Sequence, residues 1–434
     1  MPDFNCWKRW LLIVMTVALI LRVGAAAVLQ FQLDKQPGRQ FLIAGDATGY
    51  WTLGEQLANG KPFELYVPPR RIMRTPGFPW VLSLGMRMFG DDIIYIRLML
   101  ALVGTAACGL VFWLGKELVD PETGVIAAGV AAISPAFVGF TPLILSETLF
   151  AATMLLSLIA VAKLLNLNQQ NQQASRQRYL WAFLAGVLVG IATLVRPSWL
   201  LVGPGCAFLY WALAQRNRHG FCLAAMLCLG LAVSLAPWTI RNYRLTGHIV
   251  PTTLWVGPSL YDGMNPQATG DSDMAFVERD GVYQRMSEFD ADRYYRDAAW
   301  KYAAAHPARI VQLAGIKLAR YWSPWPNAAQ FRTWYLMIPL ALFFAAIMLA
   351  AIRGGWLSRD RFWLCLLTAG PIVYFAGIHA LFIGSIRYRL PAEYPLLVLT
   401  AIGIRSLLPI FTKTSPHDTQ DSAEPRPGES LSLS

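Results

Sequence analysis

Residues 10–29 read WLLIVMTVALILRVGAAAVL, an apolar run with a single charged side chain at Arg22. About 20 mostly apolar residues are enough to cross the hydrocarbon core of a bilayer as an α-helix. Further runs of this character follow at residues 93–114, 124–140, 148–165, 180–195, 199–214, 221–236, 333–352, 362–383 and 391–410. The sequence therefore predicts an all-α polytopic membrane protein with ten spans, in a membrane domain that covers residues 1–410.

The composition supports this class and excludes several others. Of the 434 residues, 55% are hydrophobic and 15% are charged, whereas an average soluble protein carries about 25% charged residues. The net charge of +11 suggests nucleic-acid binding, but in a membrane protein the positions of Lys and Arg matter more than their number. We therefore expect no nucleic-acid partner. The sequence also lacks a Walker A motif, a GxGxxG motif and an HExxH metal motif.

The distribution of basic residues predicts the orientation of the spans, because short cytoplasmic loops are enriched in Lys and Arg. With the N-terminus inside, the short inner loops carry Lys8, Arg9, Lys116, Arg176, Arg178, Arg216, Arg218, Arg353, Arg359 and Arg361, and the short outer loops carry Arg196, Arg387 and Arg389. Both termini are then cytoplasmic. The tail, residues 411–434, is rich in Ser, Pro, Asp and Glu and is predicted to be disordered. Two long loops, residues 30–92 and 238–332, fall on the outer face.

Both long loops are rich in aromatic and charged residues, and we expect them to be folded. In the first loop, Leu82, Met86 and Phe89 recur at helical spacing, which predicts an amphipathic helix over residues 75–89 on the membrane surface. In the second loop, residues 290–320 alternate apolar and charged side chains at helical spacing, with an interruption at His306-Pro307. This pattern predicts two surface helices joined at the proline.

Two carboxylates near span ends are candidates for chemistry, and each has a structural alternative. Asp46 lies shortly after the first span and is suited to act as a base for an acceptor hydroxyl, although the local sequence favours a helix N-cap. Glu147 lies at the outer end of the fourth span, where a carboxylate is costly without a partner or a function. A helix start with Ser146 as the cap and Glu147 in the first turn explains this acid equally well.

Arginines collect on the same predicted face as the two acids. They are Arg70, Arg71, Arg74, Arg196, Arg241, Arg244, Arg387 and Arg389, the last two on either side of Tyr388. Arginine is suited to bidentate recognition of phosphate, so several arginines that converge on one site would hold a lipid phosphate or pyrophosphate. Snorkelling towards anionic lipid explains isolated arginines. We assign Arg22 and Arg97, which lie within or near spans, to snorkelling.

Short motifs follow one another in a fixed order along the chain. They are Gly45-Asp46, Arg74-Thr75-Pro76-Gly77-Phe78-Pro79, Ser146-Glu147, Leu194-Val195-Arg196-Pro197, Pro237-Trp238-Thr239-Ile240-Arg241-Asn242-Tyr243 and Arg387-Tyr388-Arg389-Leu390-Pro391. Their order resembles that of the GT-C class of membrane glycosyltransferases, in the family 39-like branch that holds protein O-mannosyltransferases and the lipid A aminoarabinose transferase. The resemblance implies a GT-C-like bundle of about 10–13 transmembrane helices with two folded outer loops.

The resemblance also implies a function. The expected donor is a sugar on a polyprenyl phosphate, and the expected acceptor is a hydroxyl of a lipid, a glycan or a protein. The transfer is expected to invert the anomeric carbon, at the outer face of a bacterial inner membrane. No metal ion is required by this scheme, although the class does not exclude one.

Individual residues take expected roles from the same resemblance. Asp46 matches the catalytic base, and Glu147 matches a second acidic position near the sugar. Arg74 matches a residue that contacts the donor phosphate. Arg387 and Arg389 match basic positions that face the same cavity, so both, with Tyr388 between them, are expected to bind the donor phosphate too. Candidates for further substrate contacts are Arg70, Arg71, Arg196, Arg241 and Tyr50.

Two other classes of function compete with a glycosyltransferase. A transporter or flippase of a lipid-linked sugar predicts inverted repeats and polar residues near the bilayer midplane, and the sequence shows neither. A non-catalytic membrane scaffold leaves the convergence of acids and arginines unexplained. The enzyme is therefore the favoured hypothesis.

Overall fold

A computed structural model describes residues 6–170 and 175–408 of the chain. The described residues form helices and no β-strand, which confirms the predicted all-α class. The predicted tail, residues 411–434, lies outside them. In chain order the α-helices are α1 (Cys6–Asp34), α2 (Asp46–Ala58), α3 (Gly77–Phe89), α4 (Ile93–Leu118), α5 (Pro121–Ile133), α6 (Pro135–Phe140), α7 (Glu147–Gln170), α8 (Ser175–Val195), α9 (Val202–Leu209), α10 (Arg218–Thr246), α11 (Val256–Gly263), α12 (Ala275–Arg279), α13 (Val282–Arg285), α14 (Glu288–Ala305), α15 (Pro307–Tyr321), α16 (Trp334–Leu357), α17 (Phe362–Leu381) and α18 (Ile386–Arg405).

Within the described residues, 8 helical segments are long and apolar enough to cross a membrane. They are Cys6–Asp34, Ile93–Leu118, Glu147–Leu167, Arg176–Val195, Pro197–Ala214, Arg218–Thr246, Trp334–Leu357 and Phe362–Leu381. The described part of every predicted span is mostly helical, so the multi-span bundle is confirmed. The two predicted spans that fall short of these criteria are the third and the tenth. The third is broken at Ser134 between α5 and α6, and the tenth, α18, carries several charged side chains.

The charged helix α18 lies inside the bundle. It packs against α4, α5, α7, α16 and α17, and every residue from Arg389 to Ala401 is buried. The Arg389 guanidinium donates to the Glu393 carboxylate at 2.5 Å, one helical turn further on, and to the backbone carbonyl of Tyr321 at 2.6 Å. A buried charge is tolerated when it is paired and hydrogen-bonded. The charges that lower the hydropathy of α18 therefore point into protein.

The snorkelling interpretation is wrong for Arg22, whose side chain is fully buried. Its guanidinium donates to the carbonyls of Ala131 at 3.1 Å and Ala132 at 3.2 Å, in the last turn of α5. The carbonyl of Ala131 lacks its usual partner four residues on, because Pro135 has no N–H. Arg22 thus satisfies the backbone at the break between α5 and α6.

Arg97 is also buried rather than directed to lipid, and only 1% of it is exposed. Its guanidinium donates to the Gln30 side chain and to the backbone carbonyl of Gln40, the latter at 3.0 Å. These bonds connect α4 to the end of α1 and to the start of the first loop. Snorkelling is therefore wrong here too, since both arginines bind protein oxygens.

We expect Arg22→Met to lower the free energy of unfolding by about 1–3 kcal/mol, because it leaves buried carbonyls without donors. Arg9→Met on the same helix is the matched control, since Arg9 is exposed. Thermal unfolding of both variants in detergent measures the difference. Equal stability of the two variants would contradict the role of Arg22 at the helix break.

The helices predicted in the two long loops are present. Helix α3 spans Gly77–Phe89, and α14 and α15 meet at His306-Pro307 as expected. Helix α3 packs on α2, α4 and α8, so the first loop is docked on the bundle. This docking brings the loop that carries Asp46 to one end of α7, α8 and α18.

Candidate active site

Asp46 is the first residue of α2, and its side chain is not used to cap that helix. The cap position is Gly45, which has a φ of 69° and makes no side-chain cap hydrogen bond. The capping interpretation of Asp46 is therefore wrong. Instead, Oδ1 of Asp46 accepts a hydrogen bond from Nη2 of Arg74 at 2.6 Å, and Oδ2 accepts one from Nη1 of Arg387 at 2.8 Å. About a third of the Asp46 side chain remains exposed.

Glu147 begins α7 and is almost completely enclosed, with 4% of its side chain exposed. Its Oε1 accepts hydrogen bonds from Nη1 of Arg196 at 3.1 Å and from Nε of Arg387. Arg387 therefore bridges the two carboxylates. Within the described residues, Oε2 of Glu147 is buried and has no hydrogen-bond partner.

These contacts join five side chains, which we call the ion cluster: Asp46, Glu147, Arg74, Arg196 and Arg387. Three cationic and two anionic groups leave one positive charge in excess. The five residues come from the first loop, the start of α7, the end of α8 and the start of α18. Residues separated by up to 341 positions in the chain thus meet at one end of the bundle.

The Arg74-Thr75-Pro76-Gly77 motif docks the first loop on the end of α8. The hydroxyl of Thr75 donates to the carbonyl of Val195 at 3.5 Å. A Cβ on Gly77 would lie 2.7 Å from the carbonyl oxygen of Leu194, closer than real Cβ contacts. A glycine is therefore required where the loop meets α8, and this close approach sets Arg74 beside the Arg196 end of that helix.

Aromatic rings flank the guanidinium groups of the ion cluster. The Arg74 guanidinium lies 4.4 Å from the centre of the Tyr50 ring, and the Arg196 and Arg387 guanidiniums lie 5.1 Å and 5.6 Å from the Tyr388 ring. Rings at these distances attract the cations and exclude water from their faces. The side chains of Arg74, Arg196 and Arg387 are each 15% exposed.

The ionisation of Asp46 follows from its neighbours. Burial raises the pKa of the Asp46 carboxyl, but the ion pairs and hydrogen bonds to Arg74 and Arg387 lower it by more. The net effect holds the pKa well below its ordinary value. Asp46 is therefore a carboxylate at neutral pH and can only accept hydrogen bonds.

Residues 73–239 match the family model described as dolichyl-phosphate-mannose-protein mannosyltransferase. The resemblance to GT-C glycosyltransferases is confirmed. The matched segment contains Arg74, Glu147 and Arg196 of the ion cluster, whereas Asp46 and Arg387 lie outside it.

Individual relatives show the same resemblance. The chain is 27% identical over 209 residues to an undecaprenyl phosphate-alpha-4-amino-4-deoxy-L-arabinose arabinosyl transferase of Edwardsiella ictaluri, and the match covers 47% of this chain and 37% of that protein. The structure of the chain described here is similar to that of the archaeal oligosaccharyltransferase AglB from Archaeoglobus fulgidus, which was solved with an inhibitory peptide and a dolichol-phosphate. The TM-score is 0.52 and the identity 16%, over 92% of this chain and 50% of AglB. ArnT from Cupriavidus metallidurans, bound to undecaprenyl phosphate, gives a TM-score of 0.45 and 15% identity over 92% of this chain and 79% of that one. The chain thus spans half the length of AglB, with which it shares the GT-C fold.

Not every residue predicted for the site joins the ion cluster. Arg389 is buried against Glu393 and the Tyr321 carbonyl and does not reach it. Arg70 lies over the rings of Tyr66, Trp255 and Tyr283. Arg71 pairs with Glu64 at 2.9 Å, and Arg241 donates to the carbonyls of Arg71 and Phe63.

His379 lies beside the ion cluster, and the sequence did not identify it as a site residue. The His379 ring stacks on the Tyr388 ring with centres 4.3 Å apart and an angle of 2° between the planes. Its Nδ1 lies 2.8 Å from the carbonyl oxygen of Ile383, which fixes the orientation of the ring. Local sequence around a histidine in an apolar span does not indicate that its ring stacks on a tyrosine of the site. Among residues 6–170 and 175–408, no group of three His, Cys, Asp or Glu side chains is arranged to hold a metal ion.

Proposed function

We propose that the protein is a membrane glycosyltransferase that moves a sugar from a polyprenyl-phosphate donor to an acceptor hydroxyl, with inversion and with Asp46 as the base. The observation that carries the proposal is the contact of one carboxylate, Asp46, with two arginines that can also bind phosphate. The names of the relatives support the donor class, since they include undecaprenyl phosphate and dolichol-phosphate. The acceptor, whether lipid, glycan or protein, stays open.

The charge of the ion cluster is suited to this reaction. A sugar linked to a polyprenyl phosphate is a phosphodiester with one negative charge, and the cluster has one positive charge in excess. When the bond from the anomeric carbon to the phosphate oxygen breaks, the phosphate gains a second negative charge. The proton of the acceptor hydroxyl moves to Asp46, so the cluster gains a second positive charge in the same step. Preorganised cations that match the developing charge stabilise the transition state.

The low pKa of Asp46 is compatible with its role as the base. Arg74 and Arg387 hold the carboxylate ionised in the absence of substrate. A donor phosphate that takes hydrogen bonds from the same guanidiniums weakens their hold on Asp46, and the pKa of the carboxyl then rises towards its ordinary value. The acceptor hydroxyl also becomes more acidic as its oxygen bonds to the anomeric carbon, so a weak base is sufficient.

Glu147 has two roles in this proposal. Its Oε1 orients Arg387 and Arg196. Its Oε2 is buried and without a partner in the described residues, and an unsatisfied buried acceptor costs free energy. A hydroxyl or amino group of the transferred sugar would satisfy it.

The proposed location is a bacterial inner membrane, with both termini in the cytoplasm and the ion cluster on the outer face. The short-loop basic residues support this orientation. Further ion pairs, between Lys163 and Glu117 and between Arg405 and Asp120, lie near the ends of α4, α5, α7 and α18 that are remote from the ion cluster. These ends would face the cytoplasm.

Arg74→Ala should raise the KM for the lipid donor by at least about tenfold, because one charge-assisted hydrogen bond to phosphate is lost. The free energy of unfolding should change only slightly, since a third of the Asp46 side chain that pairs with Arg74 is already exposed. Donor-dependent kinetics of the purified protein and thermal unfolding measure the two effects. An unchanged KM for the donor would remove the phosphate role of Arg74.

The function itself is tested by mass spectrometry of lipid-linked sugars and envelope glycans in cells with and without the protein. Loss of one glycan modification, with accumulation of its polyprenyl-phosphate sugar, is expected. Identical profiles would contradict the enzyme. If the protein were the alternative, a transporter or flippase, purified protein would leave the sugar on its lipid, so an assay of transfer in detergent separates the two functions.

A further inference from the structure

A second group of arginines lines a cleft that is separate from the ion cluster. The cleft has a volume of about 490 Å³ and is lined by Pro62, Phe63, Arg71, Arg241, Arg244 and Leu245. The first three residues come from the first loop, and the last three come from the final turns of α10. All charged residues of this lining are arginines.

Arg241 is held in place by protein backbone and aromatic rings. Its guanidinium donates to the carbonyl oxygens of Arg71 at 3.1 Å and Phe63 at 3.4 Å. It also lies 4.4 Å from the centre of the Trp238 ring. A guanidinium fixed on one side by carbonyls is preorganised to donate its remaining N–H groups to an anion.

Arg244 lies one helical turn after Arg241 and is differently placed. It is exposed, and no hydrogen bond or ion pair links it to the rest of residues 6–170 and 175–408. A cation beside a fixed cation is electrostatically unfavourable unless an anion lies between them. Both Arg241 and Arg244 line the cleft, so an anion bound there would lie against both guanidiniums.

Acidic side chains near the cleft are already engaged. Glu64 pairs with Arg71 at 2.9 Å. The carboxylate of Glu288 accepts hydrogen bonds from the backbone N–H groups of Arg71 and Ile72. Three arginines against these two acids leave one positive charge in excess, and neither acid lines the cleft.

Apolar side chains surround the arginines on the outside of the bundle. Ile240, Tyr243 and Leu245 on α10 are between 44% and 54% exposed. Helix α10 is long and apolar enough to span a membrane, and in that orientation these residues, near its end, would lie where acyl chains meet headgroups. An anion site with an adjoining apolar surface matches an amphipathic ligand better than a free ion.

We propose that this cleft binds the phosphate headgroup of a membrane lipid in the leaflet next to the ion cluster. The phosphate of the lipid accepts hydrogen bonds from Arg241 and Arg244, and the acyl chains of the lipid lie along Ile240 and Leu245. The site is distinct from the donor site, with which it shares no residue. The proposal does not depend on the chemistry proposed for Asp46.

The test uses the full-length protein in detergent with mixed phosphatidylcholine and phosphatidylglycerol, and native mass spectrometry counts the lipids that stay bound. The protein should retain phosphatidylglycerol in preference to phosphatidylcholine. Arg244→Gln should weaken its retention about fivefold, the contribution of one basic residue at an anionic lipid surface. Arg244→Lys keeps the positive charge and should retain most of the phosphatidylglycerol that the unmodified protein binds. Arg293→Gln is the matched control, because the Arg293 side chain is 68% exposed on α14 and does not line the cleft.

Arg244 has no partner within the described chain, so thermal unfolding of Arg244→Gln should match that of the unmodified protein. Equal retention by Arg244→Gln and the unmodified protein would overturn the site. An equal loss with Arg293→Gln would show general surface attraction instead. Complete displacement of the lipid by inorganic phosphate would show a free-anion site and would also overturn the proposal.

Discussion

Replacement of Asp46 by Asn should abolish sugar transfer while the protein still folds and inserts into the membrane. Asn has the shape of Asp but cannot take the proton of an acceptor hydroxyl. Loss of a positioned general base lowers a rate by about 10²–10⁴-fold. The Asn side chain can still accept a hydrogen bond from Arg74 or Arg387, so the first loop should stay docked on the bundle.

The control for this variant is Asp34→Asn. Asp34 ends α1 and is exposed, and its carboxylate accepts a hydrogen bond from Gln30 outside the ion cluster. Transfer rates of both variants are measured with purified protein and a polyprenyl-phosphate sugar, alongside thermal unfolding. Full transfer by Asp46→Asn would contradict the proposed mechanism, because no other described carboxylate makes contact with both Arg74 and Arg387.

Arg387→Gln should have a similarly large effect, on both transfer and stability. Arg387 is the only member of the ion cluster that binds both carboxylates. Its loss leaves the enclosed Glu147 with Arg196 as its remaining partner, and a lost hydrogen bond to a buried charged group costs about 1.5–3 kcal/mol. Loss of a preorganised donor to the leaving phosphate should lower the transfer rate by about 10²–10³-fold.

A double variant separates the two effects of Arg387. Glu147→Gln combined with Arg387→Gln removes the buried carboxylate that the single variant leaves with Arg196 as its remaining partner, so part of the lost stability should return. Transfer should not return, because the phosphate still lacks its donor. If the double variant regained transfer, Arg387 would act only by neutralising Glu147. If the single variant unfolded at the same temperature as the unmodified protein, the buried pair would not contribute as described.

The bundle was predictable from sequence because span helices need long apolar runs, and such runs are visible without a partner. The contact partners of individual charged residues were not predictable from local sequence. The same window that marks residues 10–29 as a span cannot tell that Arg22 faces the Ala131 carbonyl rather than lipid. Likewise, Asp is common at both helix caps and ion pairs, so local sequence could not decide between them at Asp46.

Arg389 shows where the sequence held a usable signal. Its assignment to the donor phosphate assumed that Arg387 and Arg389 face the same cavity. Both lie in α18, and residues two positions apart on an α-helix point to nearly opposite sides. Arg387 therefore reaches Asp46 while Arg389 turns to Glu393. Recognition that the helix begins before Arg387 would have separated the two roles.

The buried charges of α18 have a consequence for biogenesis. A charged residue at the centre of a spanning helix costs about 2.5–3.5 kcal/mol in insertion by the translocon, and less towards the helix ends. Helix α18 carries Arg387, Arg389 and Glu393 in its first half, so its own hydropathy favours insertion less than that of the 8 apolar segments. We expect it to enter by packing on helices that are already inserted. A chain stopped after Leu381 should then hold its earlier helices in the membrane but fail to bind the donor, and donor binding by that chain would contradict this order. The other four members of the ion cluster, Asp46, Arg74, Glu147 and Arg196, are synthesised before Arg387. We therefore expect an incompletely synthesised chain to stay inactive until α18 is added.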